Sequence, residues 1–346
     1  MVVSDRYHRQ RLVEGIGDGG QDAISKANVT VIGIGALGCL SATMLARAGV
    51  GTLTLIDRDI VETTNLQRQL LFTEEDANTQ QPKAVAAANH LLTINSDIQI
   101  HFHVEDLTSG NIERLIGETD VLVDGLDNFN TRYLLNDFAI KIMKPYMFAG
   151  VIAGQGNVMS ILPTITPCLR CLFPEPPPTG TAETCDTAGV LSPAIGIAAS
   201  CQTMDVIKFI TGNQEKISPT LLTFDLWNSI SNRLEFGDPV ADCTCCGQRN
   251  FEFLDKVSVE PLALCGRLAV QLPSIDGFNL PAAAVKLQEH GEFTSSGTMI
   301  RGTFSEERGD NDTPITMLCF HDGRTIIHGT DDVRRARAIF ERYIGH

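Results

Sequence analysis

A glycine-rich segment near the start of the chain has the spacing of a phosphate-binding turn. Gly33, Gly35 and Gly38 follow a short apolar run and open a segment rich in small, helix-compatible residues. Gly33 permits a tight turn, Gly35 lets the backbone approach a phosphate, and Gly38 lets the helix pack on the strand. The free N–H groups of the helix N-terminus would face the anion. Most such segments bind NAD or FAD, so this one predicts a nucleotide without specifying which.

Polar residues further along the chain change the expected ligand. Asp57 ends a second apolar run, where a carboxylate suits a ribose hydroxyl, and a solvated strand-end carboxylate is the alternative. Asn65, Arg68 and Lys83 then follow in that order. A triphosphate carries several negative charges that guanidinium and ammonium groups neutralise. We therefore predict ATP rather than a nicotinamide cofactor, with solvated surface charges as the alternative for each cation.

Asp127 comes just after a third apolar run, at residues 121–124. Ligands of open α/β sheets bind at the carboxyl ends of such strands. A carboxylate beside a triphosphate costs free energy unless it holds magnesium. We predict that Asp127 binds magnesium, and the alternative is that it caps the N-terminus of the next helix.

Four of the ten cysteines form two pairs with the spacing of a zinc knuckle. The pairs are Cys168 with Cys171 and Cys243 with Cys246, which together supply the four thiolates of a closed structural zinc site. Cys245 lies between two of these ligands and leaves the register of the second pair open. Unrelated free cysteines are the alternative.

Cys185 stands apart from these pairs, after a proline-rich segment at residues 174–180. A single thiol on a mobile loop suits a nucleophile that attacks an activated acyl group. No activating histidine lies beside it in the sequence. A packed cysteine at the approach to a helix is therefore the alternative.

Composition limits the class of protein. A chain of 346 residues with 43% hydrophobic residues has room for two globular domains. The formal charge of −15 argues against binding nucleic acid by bulk electrostatic attraction. The sequence contains no apolar run of about 18 residues and no apolar signal core at its start, so we expect no membrane span and a cytoplasmic location.

Alternating strands and helices must position these residues. The first 150 residues predict a mostly parallel, Rossmann-like sheet, with strands at 28–33, 53–57, 98–104, 121–124 and 146–151 and helices at 36–48, 82–92 and 131–143. An antiparallel extension follows, with strands at 156–162, 221–225 and 231–236 and a helix at 193–211. After a link at 251–261 we predict a small α+β domain, with helices at 281–290 and 331–343 and strands at 298–303, 315–320 and 325–328. The predicted domains are residues 1–250 and 251–346.

Residues 6–247 resemble the ThiF/MoeB/HesA family, relatives of the ubiquitin-activating enzymes. The resemblance rests on motifs in matching order: Arg6-Tyr7-His8-Arg9-Gln10, the glycine segment 33–38, Asp57-Arg58-Asp59, residues 65–69, Gln81-Pro82-Lys83, Asp127-Asn128, the two cysteine pairs and residues 184–189. Ala36 stands where the family commonly has a glycine, and a backbone N–H contact would survive that change.

The resemblance implies an adenylyltransferase that uses ATP and magnesium to activate the C-terminal glycine of a ubiquitin-like sulfur carrier of the ThiS or MoaD type. Pyrophosphate is released, and thiamine or molybdopterin biosynthesis is the expected context. It also implies an ATP site formed by Gly33, Gly35, Ala36, Gly38, Asp57, Asn65, Arg68, Lys83, Asp127 and Asn128. A homodimer is implied, in which Arg9 reaches into the neighbouring subunit's site, and Cys185 forms a covalent intermediate in some members only.

On this interpretation catalysis is mostly charge neutralisation and alignment by Arg9, Arg68, Lys83 and the magnesium at Asp127. No general base is needed, because the nucleophile is already a carboxylate. The alternatives are adenylation of a short peptide, a dehydrogenase, and a non-catalytic scaffold. Adenylation of a tRNA base is disfavoured by the acidic charge. The sequence leaves open the identity of the carrier and the role of the C-terminal domain, for which we hypothesise a part in holding the carrier.

Overall fold

The computed structural model describes residues 5–177, 185–255, 262–263, 268–275 and 277–345. The chain divides into two compact units, Met1–Val257 and Ser258–His346. Within the described residues, no helix is both long and apolar enough to cross a bilayer.

The first unit is built around one mixed sheet. Its strands are β1 (Asn28–Ile32), β2 (Thr52–Ile56), β3 (Gln99–His103), β4 (Val121–Asp124), β5 (Tyr146–Ile152), β6 (Gln155–Ile161), β7 (Thr220–Asp225) and β8 (Ile230–Glu235). They lie in the order β3-β2-β1-β4-β5-β6-β7-β8. Strands β1 to β5 pair in parallel, and β6 to β8 continue the sheet antiparallel. This arrangement confirms the predicted Rossmann-like sheet with an antiparallel extension.

Helices connect these strands and cover both faces of the sheet. They are α1 (His8–Arg11), α2 (Gly17–Lys26), α3 (Ala36–Ala48), α4 (Glu74–Asn78), α5 (Lys83–Ile94), α6 (Ile112–Ile116), α7 (Phe129–Lys141), α8 (Leu169–Leu172), α9 (Cys185–Ala188), α10 (Ser192–Ile210) and α11 (Glu252–Asp255). Short 3₁₀ turns span Thr63–Asn65 and Gln214–Lys216.

The core of this unit has two parts, one on each face of the sheet, because side chains alternate between the faces along each strand. Val121 and Val123 of β4 lie in one apolar cluster with residues of α3 and α5, whereas Leu122 lies in another cluster with α7. Successive side chains of a strand point to opposite faces, and burying each such side chain contributes roughly 1.5–3 kcal/mol. Two buried faces explain why these strands are continuously apolar rather than alternating.

The carboxyl ends of β1, β2 and β4 meet at one edge of the sheet because the three strands are parallel. The Gly33 N–H donates to the carbonyl oxygen of Ile56 at 2.8 Å, and the Gly125 N–H donates to that of Ile32 at 2.7 Å. The residues that follow these strands therefore come together, and they include most of the predicted nucleotide ligands.

The second unit contains a separate antiparallel sheet. Its strands are β9 (Leu262–Ala263), β10 (Ala269–Leu272), β11 (Gly291–Ser295), β12 (Met299–Arg308), β13 (Pro314–Phe320) and β14 (Thr325–His328), in the order β11-β12-β13-β14-β10-β9. Helices α12 (Leu280–Gln288) and α13 (Val333–Tyr343) share one apolar core with this sheet. The predicted small α+β fold is confirmed.

Several boundaries differ from the prediction. Helix α7 starts at Phe129 rather than at residue 131, because the Asn128 side chain caps it. Helix α11 occupies the start of the predicted link, while residues 256–261 of that link lie outside the described part of the chain. Strands β9, β10 and β11 were missed, and β12 continues to Arg308 beyond the predicted end at residue 303.

Candidate functional site

The turn between β1 and α3 packs against the turn after β4 so closely that three glycines have no room for a side chain. Gly33 has φ +83°, in the left-handed region that favours glycine. A Cβ on Gly33 would lie 2.7 Å from the carbonyl oxygen of Gly125. A Cβ on Gly38 or on Gly125 would clash with the carbonyl oxygen of Gly33. Folding alone thus requires these three glycines.

Gly35 is different. Within the described part of the chain, a Cβ there would meet only the carbonyl oxygen of Gly125, at 3.7 Å, which is an ordinary contact. Gly35 is the N-cap residue of α3, and Ala36 is its first helical residue. The first N–H groups of a helix have no partner within it, so they face whatever occupies the space beyond Gly35. The fold would tolerate a side chain at position 35, so glycine is not needed for packing. Its lack of a side chain leaves space for a ligand beside the N-terminus of α3.

Asp57 joins the glycine turn to the end of β2. Its Oδ2 accepts a hydrogen bond from the Ile34 N–H at 2.6 Å, and its Oδ1 accepts one from the Asp59 N–H at 2.7 Å. The residue is buried, with 9% of its surface exposed. Burial raises the pKa of the Asp57 carboxyl, and the nearby Lys83 ammonium opposes that rise. The alternative of a solvated strand-end carboxylate is therefore wrong.

Lys83 is buried at the first position of α5, so it is not a solvated surface charge. Its Nζ lies 3.2 Å from Oδ2 of Asp59. A hydrogen bond from the Lys83 N–H to the Asp59 carbonyl oxygen holds the two backbones together at 2.8 Å. Burial disfavours the charged amine, but Asp59, Asp57 and Asp127 outweigh burial and raise the pKa of Lys83. The ammonium is thus retained as a fixed positive charge.

A second cation, Arg58, lies near the carboxylates that surround Lys83. Arg58 donates from Nη1 to Oδ2 of Asp106 at 2.9 Å. Burial disfavours the charged guanidinium, but Asp106, Asp59 and Asp127 raise the pKa of Arg58. Lys83 and Arg58 therefore lie close to four carboxylates at this edge of the sheet: Asp57, Asp59, Asp106 and Asp127. These carboxylates would repel a polyphosphate, and a divalent cation bound between them and the phosphates would offset that repulsion.

Asn65 and Arg68 lie on the segment between β2 and α5. The buried Asn65 accepts the Glu62 N–H at 3.0 Å through Oδ1, and its side-chain amide N–H groups can donate to a ligand. Arg68 is half-buried, and its Nη1 donates to the carbonyl oxygen of Thr64 at 3.0 Å. The Ser192 hydroxyl donates to the carbonyl oxygen of Gln67 at 2.8 Å, which fixes this segment to the start of α10.

Asp127 lies between β4 and α7 and is exposed. It is not the helix cap, because Oδ1 of Asn128 accepts the Thr131 N–H at 2.9 Å and performs that role. The Asp127 carboxylate is close enough to Arg58 and Lys83 to raise the pKa of both. The site thus brings together the glycine turn, Asp57, Lys83 and Asp127. For Asn128, a ligand role in addition to capping stays a prediction.

Sequence reasoning missed Asp59 and Asp106 as parts of this charge arrangement. Asp59 was visible as the second acid of Asp57-Arg58-Asp59, but its partner Lys83 is 24 residues away. Asp106 is 48 residues from Arg58. Such pairings depend on the tertiary fold, and spacing within the sequence carried no signal for them.

Arg9 lies apart from these residues, at the other end of α3. Its helix α1 is held there by its neighbours: the Tyr7 ring packs on Gly49, and the Tyr7 hydroxyl accepts from Asn95 Nδ2 at 2.8 Å. Gln10 Nε2 donates to the carbonyl oxygen of Ala48, at the C-terminus of α3, at 2.9 Å. A helix of 13 residues is roughly 20 Å long, so Arg9 is far from the glycine turn of its own chain. The Arg9 side chain itself is exposed.

The four predicted metal-binding cysteines come together although the two pairs are far apart in sequence. The Sγ atoms of Cys168, Cys171, Cys243 and Cys246 all lie within 4.8 Å of one another. A tetrahedral site with zinc–sulfur bonds of about 2.3 Å requires sulfurs about 3.8 Å apart, so this donor set fits zinc. Cys245 is buried outside the four and accepts a hydrogen bond from Asn136 Nδ2 at 3.3 Å.

Cys185 is the first residue of α9, and Thr184 before it lies outside the described residues, as do residues 178–180 of the proline-rich segment. The chain after α9 is fixed to the carboxyl end of β5. The Ala153 N–H donates to the carbonyl oxygen of Gly189 at 2.8 Å, and the Leu191 N–H donates to that of Ala153 at 2.9 Å. This segment therefore lies at the same edge of the sheet as the glycine turn.

A glycine turn, a buried lysine and a group of carboxylates lie at the carboxyl edge of this α/β sheet, the edge at which open α/β sheets bind ligands, nucleotides among them. The sequence profile of the ThiF family matches residues 7–245. The chain therefore belongs to the ThiF family, as the sequence motifs indicated.

Individual relatives agree with this assignment. The chain is 39% identical to the sulfur carrier protein ThiS adenylyltransferase of Bacillus subtilis (strain 168) over 99% of this chain and 100% of that protein. It is 34% identical to a sulfur carrier protein adenylyltransferase of Thermus thermophilus over 76% of this chain and 96% of that protein. The structure of E. coli MccB with AMPCPP and MccA has the same fold, with a TM-score of 0.61 and 24% identity over 70% of this chain and 74% of that chain.

Proposed function

We propose that the protein is an ATP-dependent adenylyltransferase that activates the C-terminal glycine carboxylate of a ubiquitin-like, ThiS-type sulfur carrier. The observation that carries the proposal is the buried Lys83 among carboxylates beside a glycine turn whose Gly35 the fold does not require. The names of the full-length relatives favour a carrier protein over a short peptide and over a non-catalytic scaffold.

In the proposed reaction a carboxylate oxygen of the carrier attacks the α-phosphate of ATP. The new bond joins that oxygen to phosphorus, the bond to the β-phosphate breaks, and pyrophosphate leaves with its electron pair. Lys83 and Arg68 neutralise charge on the phosphates, while the N-terminus of α3 binds phosphate oxygens beyond Gly35. Asp127 would hold magnesium, which supplies positive charge between the carboxylates and the phosphates.

Mass spectrometry of the carrier tests this reaction directly. A ThiS-type carrier ending in glycine is incubated with the protein, ATP and magnesium, with pyrophosphatase present to draw the reaction forward. We expect the carrier to gain the mass of one adenylyl group, and the same carrier without its terminal glycine to gain none. An unmodified glycine-terminated carrier would contradict the proposal.

We also propose a homodimer in which Arg9 acts in the neighbouring subunit. The position of Arg9 at the far end of α3 supports a role outside its own site. Exposed apolar side chains at Leu191, Ile197 and Met204, along α10 and its approach, offer a surface that a second copy could cover.

Mixed dimers test the position of Arg9. Arg9→Ala and Asp127→Ala chains carrying different tags are co-expressed, and dimers with one chain of each are purified on both tags. Each variant alone is expected to be inactive. If Arg9 acts across the dimer, the mixed dimer has one intact site and shows about half the wild-type activity. If Arg9 acts in its own chain, the mixed dimer is as inactive as its parents.

For the cysteines we propose two separate roles. Cys168, Cys171, Cys243 and Cys246 hold a structural zinc, which their mutual distances support. Cys185 is proposed as a nucleophile: its thiolate attacks the acyl-adenylate, a carbon–sulfur bond forms and AMP leaves. We expect peptide mass mapping to find the carrier attached to Cys185 through a bond that added thiol cleaves. If a Cys185→Ala variant transfers the activated carrier at the wild-type rate, this role of Cys185 is contradicted.

The cytoplasmic location and the absence of nucleic-acid binding stay predictions.

A further inference from the structure

A buried carboxylate lies directly behind the proposed magnesium ligand. Asp124, the last residue of β4, is fully buried. Its Oδ2 accepts from the Tyr146 hydroxyl at 2.6 Å and from Arg132 Nε at 3.1 Å, and its Oδ1 accepts from the Leu126 N–H at 2.8 Å. A charged group removed from water is tolerated only when partners of this kind compensate it. We call Asp124, Arg132 and Tyr146 the buried triad.

Arg132 extends the triad to the backbone of the turn after β4. Its Nη2 donates to the carbonyl oxygen of Leu126 at 2.6 Å and to that of Ala149, on β5, at 2.9 Å. The N–H and the carbonyl of Leu126 are therefore both bound, one by each charged member of the triad. The ion pair therefore restrains the Leu126 backbone at both of its polar groups.

Gln202 adds hydrogen bonds to the backbone at the end of β4, where Asp124 lies. Gln202 of α10 donates from Nε2 to the carbonyl oxygens of Asp124 at 2.9 Å and Met147 at 2.7 Å. Its Oε1 accepts from the Ser41 hydroxyl of α3 at 2.8 Å. The end of β4 is thereby connected to α3, the helix that begins at the glycine turn.

Asp127 is the residue that follows Leu126. It lies between Leu126, bound on both sides by the triad, and Asn128, whose side chain caps α7. The Asp127 side chain is exposed, but its backbone is fixed at both neighbours. Its carboxylate is close enough to Arg132 to raise the pKa of that guanidinium, in addition to the larger effect of Asp124 and against the effect of burial.

We propose that the buried triad of Asp124, Arg132 and Tyr146 positions the Asp127 carboxylate for the divalent cation. This inference rests on the proposed function. A buried ion pair adds little stability compared with apolar residues of the same volume. Among the described residues, the hydrogen bonds of the triad's side chains join its members to one another, hold Leu126 at both its N–H and its carbonyl, and connect Arg132 to Ala149 of β5. The two bonds to Leu126 attach the turn that carries Asp127 to this buried group.

Cation binding separates a positioning role from a purely structural one. The test measures the dissociation constant of Mn²⁺, by the electron paramagnetic resonance signal of the free ion, in the presence of a non-hydrolysable ATP analogue. Tyr146→Phe removes one hydrogen bond to Asp124 and should weaken Mn²⁺ binding about 3- to 10-fold. Arg132→Lys keeps the charge but cannot span Asp124, Leu126 and Ala149, and should weaken it about 10- to 100-fold.

Tyr133→Phe is the matched control. Its hydroxyl donates to the carbonyl oxygen of Phe173 at 2.8 Å, away from the turn, so the same substitution there should leave Mn²⁺ affinity unchanged. Melting temperatures of all variants identify any that fail to fold, and Tyr146→Phe alone then decides the question. Wild-type Mn²⁺ affinity in Tyr146→Phe, with weakened affinity in Asp127→Ala, would overturn the inference alone. Wild-type affinity in Asp127→Ala would instead overturn the magnesium assignment on which it rests.

Discussion

Replacement of Asp127 by asparagine lowers the rate of carrier-dependent ATP–pyrophosphate exchange by about 10³-fold, equivalent to roughly 4 kcal/mol. Asparagine keeps the size of the side chain but removes its negative charge, so the proposed cation loses an anionic ligand. The side chain is exposed, and Asn128 rather than Asp127 caps α7. The substitution should therefore leave folding stability within about 0.5 kcal/mol of the wild type.

Exchange rates at saturating ATP, measured across a magnesium titration, check this prediction. Asp22→Asn is the matched control: it removes an equally exposed carboxylate from α2, which precedes β1 and so lies toward the amino ends of the parallel strands. We expect the control to exchange at the wild-type rate. An Asp127→Asn variant within about threefold of the wild-type rate would show that Asp127 is not needed for the cation.

Replacement of Cys243 by serine should release the proposed zinc and lower the melting temperature of the first unit by about 10 °C or more. The site joins two segments separated by 75 residues. Loss of the metal would therefore remove the link between them. Zinc content by elemental analysis and thermal unfolding by circular dichroism measure the two effects. Chelation of the wild-type protein should shift the melting temperature in the same direction.

Cys245→Ser supplies the comparison for this second prediction. Cys245 is two residues from Cys243 in sequence and equally buried, but its sulfur lies outside the group of four and accepts a hydrogen bond from Asn136. The variant should keep its zinc. Loss of zinc from Cys245→Ser with retention in Cys243→Ser would mean that the second pair has a different register, and a metal-free wild-type protein would contradict the site itself.

Local patterns were enough to name many residues that the fold brings together at the candidate nucleotide site. The glycine spacing, the cysteine spacing and the acidic strand ends are each encoded within a few residues, and the parallel sheet follows from alternating strands and helices. The pairing of Lys83 with Asp59 and the burial of Asp57 depend on how β2 and α5 meet. Sequence alone could name these residues but not their partners.

For the buried triad, too, the sequence identifies a residue that needs partners but does not identify the partners. Asp124 at the end of an apolar strand implies a compensating partner, since a buried carboxylate needs one. Nothing in the sequence distinguishes Arg132 and Tyr146 from other polar residues near it. In the second unit, β11 has one buried apolar residue, Phe293, so its burial pattern differs little from that of a loop. Its pairing with β12, rather than its own composition, makes it a strand.

In the proposed reaction the terminal carboxylate of the carrier is itself the nucleophile that this protein aligns with ATP. Exchange of labelled pyrophosphate into ATP tests it most directly, with a ThiS-type carrier ending in glycine compared with the same carrier lacking that glycine. We predict exchange that requires both magnesium and the glycine-terminated carrier, and none with the shortened carrier. Exchange that proceeds equally well without any carrier, or no exchange with the glycine-terminated carrier, would contradict the proposed function.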